Sequence, residues 1–187
     1  YPVYSKFFTR KSLILFCLLL LACVGIVAYS VAQTLSGTVT AEPTIALQFS
    51  WTDIGITAVL LLSSLAAHEL AHAVVCKKYG GEVKSMGLLL FFLIPCFYCD
   101  VTDVYKIQSP KHRARVALAG VYVNAFLGVA FLLLAFVLTL LGRVVLPFYY
   151  FALSNLVVSV YNLIPLVKLD GYWFLSAVLQ VNNLMDK

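Results

Sequence analysis

The stretch LLLSSLAAHELAHAVVCKKYGG, residues 60–81, decides the architecture of this chain. It is apolar enough to cross a bilayer, yet it holds two of the chain's three histidines, His68 and His72, with Glu69 between them. It closes with two lysines and two glycines, an order that is typical of the end of a helix. We therefore expect a helix over about residues 53–77 that carries three ionisable side chains in an apolar setting.

The composition of the whole chain indicates an integral membrane protein. Of its 187 residues, 63% are hydrophobic and 11% are charged, and the mean hydropathy is +0.98. Soluble domains have about 45–50% apolar and about 25% charged residues. The net charge of +5 could suggest nucleic acid, but we expect no nucleic-acid partner because the basic residues follow a membrane topology. The number of cysteines, five, is odd, which argues against a disulfide framework.

The apolar runs predict an all-α polytopic membrane protein with about four transmembrane helices. A spanning helix needs roughly 20 apolar residues. The expected spans cover about residues 12–32, 53–77, 116–141 and 148–166. A short helix over about 172–184 is expected to lie at the membrane interface, and residues 1–187 are expected to form a single membrane-embedded domain.

Residues 82–107 do not fit a spanning helix. Pro95 interrupts this segment, and each half is about ten residues long, too short to cross the bilayer as a helix. The segment is rich in Phe, Tyr, Val and Thr, which favour strands. It therefore predicts a re-entrant β-hairpin. Because open strand edges are costly in lipid, this hairpin should pack against the helices or line a cavity.

The basic residues orient the chain. With the N-terminus on the cytoplasmic side, the inner segments are residues 1–11, 77–115 and 168–187, and they contain twelve of the thirteen basic residues. Only Arg143 is left outside. This distribution follows the positive-inside rule and predicts a cytoplasmic N-terminus.

The two histidines predict a metal site. Residues four apart lie on one face of a helix, so His68 and His72 can bind one zinc ion, while Glu69 can act as a general base. Packing in an apolar core is the ordinary alternative for a histidine. Ionisable residues inside a membrane span are costly, however, and are functional by default. A hydrolytic zinc site also needs a third protein ligand and an open position.

Depth in the membrane limits the choice of the third ligand. The two histidines lie about 7 to 14 Å from Lys77, the inner end of their span, at a rise of 1.5 Å per residue. Asp170 follows the last span next to Lys168 and is the best-placed carboxylate. Asp100 and Asp103 in the hairpin segment are its competitors.

At this point the residues resemble a known family. HELAH, together with NLIPLVKLDG at residues 162–171, is similar to the site-2 protease family of intramembrane zinc metalloproteases. That family pairs HExxH with an N-x-x-P-x-x-x-x-D-G motif, which here consists of Asn162, Pro165, Asp170 and Gly171. The resemblance implies that Zn²⁺ is bound by His68, His72 and Asp170, with Glu69 as the catalytic base.

The resemblance extends to two further segments. AGVYVNAF at residues 119–126 resembles a small-residue segment of the family, with Asn124 at its polar position and Val121 where the family usually has proline. It implies that Asn124 stabilises the oxyanion of the transition state. Asn162 is expected to bind substrate backbone or to orient the aspartate. The hairpin resembles the family's re-entrant β element, to whose edge an extended substrate could add. The expected hairpin contacts are Leu89, Phe91, Phe97 and Tyr98.

The resemblance implies an intramembrane zinc endopeptidase that cuts a membrane-embedded or membrane-associated peptide, or a single-span protein, near the cytoplasmic face. PCFYCDVTDVY and LDGYWFLS are similar to a branch of peptide zinc metalloproteases linked to maturation of bacterial ribosomal peptides and bacteriocins. This branch implies a bacterial cytoplasmic membrane. Two alternatives stay open, namely regulated intramembrane proteolysis of a signalling protein, and a non-catalytic zinc-binding scaffold or zinc transporter.

Four other polar residues of the hairpin segment invite a functional reading. Cys96 and Cys99 could form a metal clip or a redox pair, but a single CxxC is a weak signal and apolar packing is the expectation. Asp100 and Asp103 are expected to form a solvated hairpin end or to cap the following helix.

Overall fold

The computed structural model describes residues 50–91 and 94–181, together with the isolated helical positions 14, 18 and 25. Apart from those three positions, the predicted span over about residues 12–32 lies outside the described residues. Within them the chain is mainly helical, as predicted, with one two-stranded sheet. The elements are α1 (Trp51–Lys78), β1 (Met86–Phe91), β2 (Ile94–Cys99), a 3₁₀ helix (Thr102–Lys106), α2 (Pro110–Ala117), α3 (Ala119–Leu140), α4 (Leu146–Asn162) and α5 (Asp170–Leu179).

Helix α1 has conventional signals at both ends. The side chain of Ser50 accepts a hydrogen bond from the backbone N–H of Thr52, and Asp53 stands in the first turn. Two lysines occupy the last turn, where their positive charges interact favourably with the negative end of the helix dipole. The helix stops before Gly80, which has a φ of +87°. Its 28 residues give a length of about 42 Å, more than the thickness of the hydrocarbon layer.

Two of the described helices, α1 and α3, are long and apolar enough to cross a membrane. The predicted span over about 116–141 begins at Ala119, later than expected. The helix is interrupted at Leu118, and the residues before it form the separate helix α2. Helix α4 ends at Asn162, four residues before the predicted boundary. Pro165 accounts for that early end, since it lacks a backbone N–H and disfavours the helical conformation of the residue before it.

Helices α1, α3 and α4 pack together as a bundle. The contact of α3 with α4 is close, because a Cβ at Gly128 would lie 3.1 Å from the backbone oxygen of Ala152. Small residues commonly allow such approach between membrane helices. Phe131 packs edge-on against Phe148 and Phe151 beside this contact. The outer surfaces of the bundle expose large apolar side chains, among them Val59, Leu140, Leu153, Val157 and Val160.

A β-hairpin forms within the predicted segment, and its re-entry into the membrane stays a prediction. Strands β1 and β2 are antiparallel, with Met86 opposite Cys99 and Phe91 opposite Ile94. Strand β2 packs against α1, so the sheet is attached to the helix that carries the histidines. Leu88 and Leu90 of β1 are 58% and 67% exposed, which leaves β1 as the outer strand of the pair.

The base of the hairpin is joined to the following turn by charge pairs. Asp103 is buried, and its carboxylate lies 3.0 Å from Lys106 Nζ and 3.8 Å from Lys84 Nζ. The Lys106 ammonium lowers the pKa of Asp103. The expectation of a solvated position is therefore wrong for Asp103. Asp100 fits the capping expectation, since its side chain accepts a hydrogen bond from the backbone N–H of Thr102, the first residue of the 3₁₀ helix.

Candidate active site

Helix α1 delivers two imidazole rings to one buried point. His68 and His72 are 6% and 7% exposed, and their rings meet edge to face with centroids 4.9 Å apart. Their Nε2 atoms are 3.2 Å apart. The 3.6-residue helical repeat alone places the two rings together, as the spacing predicts.

Asp170 completes a triangle of three side chains, with His68 and His72 at the other two corners. Its Oδ2 lies 3.2 Å from His68 Nε2, and its Oδ1 lies 3.4 Å from His72 Nε2. Among the described residues, these three side chains form the one group of three or more His, Cys, Asp or Glu residues that converges closely enough to hold a metal ion. Neither Asp100 nor Asp103 belongs to this group.

The spacing of the triangle fits zinc. A tetrahedral zinc ion with nitrogen and oxygen ligands at about 2.0–2.1 Å separates its ligand atoms by about 3.3 Å. The two Nε2 atoms are 3.2 Å apart, and each faces a different oxygen of Asp170 at 3.2 or 3.4 Å, so these separations are close to that value. The His72 ring also fits a metal ligand, because its Nδ1–H donates to the carbonyl oxygen of Val116 at 2.7 Å and Nε2 is left with a lone pair. A lone pair directed at a carboxylate is stabilised by a cation between them.

Glycine at position 120 makes room for the rings. A Cβ built on Gly120 would lie 2.4 Å from His68 Nε2 and 2.5 Å from His72 Nε2. Backbone of α3 therefore lies directly against the ligand atoms. Gly120 precedes Asn124 by one helical turn in the segment whose small residues the sequence singled out, so the signal for this contact was present in the sequence.

The loop after α4 brings in the aspartate. Asp170 is the first residue of α5, and the next residue, Gly171, packs against the backbone of Leu163 so closely that a Cβ would lie 2.3 Å from the Leu163 carbonyl oxygen. Asp170 thus presents its two carboxylate oxygens to the Nε2 atoms of the two histidines.

Glu69 lies beside the triangle and is half-buried. Its carboxylate is within hydrogen-bonding reach of the backbone N–H of Cys99, at the end of β2. The hairpin thus ends next to the predicted base. Burial raises the pKa of the Cys99 thiol to about 11, so this cysteine is protonated at neutral pH. Residues three apart in a strand point to opposite faces, which keeps Cys96 and Cys99 from converging.

A cavity of about 320 Å³ opens next to the triangle. Residues of α1, the turn after β2, α2 and α5 line it. Its charged lining consists of Glu69, Asp100, Arg113 and Asp170, and most of the remaining lining is apolar, including Val116 and Trp173. Pockets of this kind, apolar with a few convergent polar groups, are typical of binding and active sites.

Two other predicted site residues, Asn124 and Asn162, do not line this cavity. Asn124 is 3% exposed on α3, and its Oδ1 has no hydrogen-bond partner among the described residues. It is absent from the cavity lining. Asn162 is half-buried at the end of α4 and does not line the cavity either. Both roles remain predictions.

The predicted hairpin contacts occupy both strands. Leu89 and Tyr98 are 41% and 37% exposed, Phe97 is half-buried opposite Leu88, and Phe91 ends β1. They stand apart from the cavity lining, to which β2 contributes Cys99. A substrate role for these side chains therefore stays a prediction.

A known protein family matches the part of the chain that contains the two histidines. Residues 56–142 match the family described as peptidase family M50. This range includes most of α1 and all of α3, and it ends before Asp170. No solved structure matches the chain.

Several relatives carry names of zinc metalloproteases. Rip3 of Mycobacterium tuberculosis is 35% identical over 148 residues, which cover 76% of this chain and 35% of that protein. Zinc metalloprotease MJ0392 of Methanocaldococcus jannaschii is 32% identical over 124 residues, which cover 65% of this chain and 33% of that protein. YydH of Bacillus subtilis, named as a peptide zinc metalloprotease, is 27% identical over 139 residues, which cover 72% of this chain and 52% of that protein. The chain spans about a third of the length of the first two relatives.

Proposed function

This chain belongs to the site-2 protease family of zinc metallopeptidases, and we propose that it is an intramembrane zinc endopeptidase. Its substrate is a membrane-embedded or membrane-associated peptide, cut near the cytoplasmic face. One observation carries the proposal, namely the convergence of His68, His72 and Asp170 beside Glu69 at the wall of a cavity. A zinc-binding scaffold or transporter has no use for a general base in that position.

His68, His72 and Asp170 would hold the zinc ion. When bound, zinc supplies a Lewis acid that polarises a carbonyl oxygen and lowers the pKa of water to about 7. The Val116 carbonyl fixes the tautomer of His72, and Gly120 lets α3 close over both rings. The ligand set is thus oriented by backbone that a side-chain change cannot move easily.

Glu69 performs the proton transfers. Its carboxylate accepts a proton from water, and the hydroxide that remains attacks the carbonyl carbon of the scissile peptide bond. The proton then passes from Glu69 to the nitrogen of the leaving amine as the C–N bond breaks. The nearby N–H of Cys99 helps to orient the Glu69 carboxylate for both transfers. In this scheme Asn124 stabilises the oxyanion, and Asn162 binds substrate backbone or orients Asp170.

The hairpin supplies a surface for an extended substrate. A peptide bond in a helix is protected by helical hydrogen bonds, so the substrate must unwind locally before attack. We propose that the unwound segment adds as a strand to the exposed edge of the hairpin, which enters the membrane from the cytoplasmic side. The end of the sheet at Met86 and Cys99 is the end next to Glu69, so a strand added along β1 would have to continue past this end to reach the catalytic carboxylate.

One relative supports a proposal for the substrate class. YydH, named as a peptide zinc metalloprotease, covers 72% of this chain, and this favours a small peptide as substrate over a signalling protein. We propose maturation of a bacterial ribosomal peptide or bacteriocin at the cytoplasmic membrane, with the N-terminus of the chain in the cytoplasm.

The substitution Glu69→Gln tests the proposal. It removes the proton acceptor and retains the three ligands, so peptide cleavage should fall about a hundredfold to ten-thousandfold while bound zinc stays the same. Zinc content by atomic absorption and cleavage of a membrane-reconstituted peptide measure the two quantities. Glu82→Gln, an exposed acid outside the cavity, is the matched control and should leave both unchanged. Cleavage by Glu69→Gln at the wild-type rate would exclude Glu69 as the base.

A further inference from the structure

The cavity next to the metal site contains one permanent positive charge. Helix α2 carries three basic residues besides its histidine, and they point in different directions. Lys111 and Arg115 are exposed, and Arg115 Nη1 donates to the hydroxyl of Tyr79 at 3.1 Å. Arg113 is half-buried and lines the cavity together with Val116 and Ala117 of the same helix.

Arg113 lacks a carboxylate partner among the described residues. Its Nε is buried there without a hydrogen-bond acceptor. The three acids of the cavity have other neighbours. Asp170 faces the two histidines, Asp100 accepts a hydrogen bond from the backbone N–H of Thr102, and Glu69 lies within reach of the backbone N–H of Cys99. A guanidinium in a largely apolar cavity without a counter-charge carries a desolvation cost, which a bound anion would offset.

The shape of the guanidinium group indicates which kind of anion could bind to it. A guanidinium presents paired N–H donors that match the two oxygens of a carboxylate, so its complement here is a carboxylate group.

We infer that Arg113 is a specificity-determining residue that binds a carboxylate of the peptide substrate inside the catalytic cavity. The carboxylate belongs either to the C-terminus of a short peptide or to an acidic side chain near the scissile bond. This inference rests on the proposed peptidase function, because it places the carboxylate in the cavity where cleavage occurs.

The test is a binding measurement with a chain that cannot cleave. Glu69→Gln protein, loaded with zinc in detergent micelles, is titrated against three dye-labelled peptides of alternating alanine and leucine. One peptide ends in a free carboxylate, one ends in an amide, and one ends in an amide but has glutamate in place of its central leucine. Fluorescence polarisation gives the dissociation constants.

We expect a carboxylate peptide to bind about tenfold to a hundredfold more tightly than the neutral amide. Arg113→Gln should remove this difference, and Arg115→Gln, the matched control, should retain it. The free-acid and glutamate peptides distinguish the two sources of the carboxylate. Arg113→Lys retains the charge but not the paired donors and should give an intermediate preference.

Several results would overturn the inference. These are equal affinity for all three peptides, no measurable binding of the two acidic peptides, or a preference that survives in Arg113→Gln. Unchanged zinc content and thermal unfolding of Arg113→Gln show that the variant is folded, and Arg113→Lys serves if it is not. Cleavage by the chain with Glu69 intact is a separate measurement, so failure of the carboxylate site and failure of the peptidase proposal are distinguishable.

Discussion

The metal site joins two regions that are built in different ways. His68 and His72 are four residues apart on one helix, and the helical repeat alone brings them together. Asp170 arrives from a loop almost one hundred residues later in the chain, and packing of Gly171 on Leu163 closes that loop. The first half of the site is therefore local, whereas the second half depends on the whole bundle. Substitutions in the two halves should fail in different ways.

The largest effects are expected at the ligands themselves. His68→Ala and Asp170→Asn should each lower zinc affinity by at least about a hundredfold, because each removes one of three protein ligands. Peptide cleavage should fall with the bound zinc. Competition with a chelator of known affinity measures the loss. Asp100→Asn is the comparison, and full zinc affinity in Asp170→Asn with loss in Asp100→Asn would move the third ligand to the hairpin.

An intermediate effect is expected at the two glycines that hold the tertiary contacts. Gly120→Ala places a Cβ within 2.4 Å of His68, and Gly171→Ala places one against the Leu163 backbone. Such overpacking costs about 1–3 kcal/mol, and it should displace ligands and lower zinc affinity at least about tenfold. Gly55→Ala, which has open space around it on the same helix as the histidines, is the control. Unchanged zinc affinity in both test variants would show that the site does not depend on these contacts.

The smallest effect is expected at the end of α1. Gly80 has a φ of +87° and open space around it, so Gly80→Ala strains the backbone without a steric clash. The cost should be about 1 kcal/mol. Gly80 lies after the end of α1 and away from the two histidines. The temperature of thermal unfolding should therefore fall, and zinc affinity should stay the same. A loss of zinc comparable with that of Gly120→Ala would contradict the separation of the two halves.

Much of the architecture was predictable, for identifiable reasons. Helix α1, its end before Gly80 and the hairpin in residues 82–107 follow from local signals, namely caps, glycine, Pro95 and strand-forming residues. The break at Leu118 was missed. Residues 116–141 are almost entirely apolar, with Asn124 and Thr139 as the polar exceptions. Hydropathy therefore does not show where the helix is interrupted, or that the carbonyl of Val116 accepts a hydrogen bond from a histidine.

The burial of Asp103 and the position of Arg113 were also beyond the sequence. Asp103 follows the strand-forming residues of the hairpin segment and Arg113 lies in a run of basic residues, and the pattern of charges does not reveal which side chain turns inward. Asp103 pairs with Lys106 of its own 3₁₀ helix and with Lys84 from the segment before β1. Arg113 faces the cavity because α2 packs on α5 with that side inward. The Lys84 contact and the packing of α2 on α5 join segments that are separate in the sequence.

The sequence by itself determined the apolar composition of the chain, the pair of histidines on one face of a helix and the glutamate between them. These depend on composition and on a helical repeat, which act over a few residues. Only the tertiary structure decided that Asp170 lies 3.2 and 3.4 Å from the two imidazoles, that Gly120 covers them, and that Arg113 shares their cavity. Those contacts join residues from distant parts of the chain, and their geometry is set by how helices pack, not by spacing along the sequence.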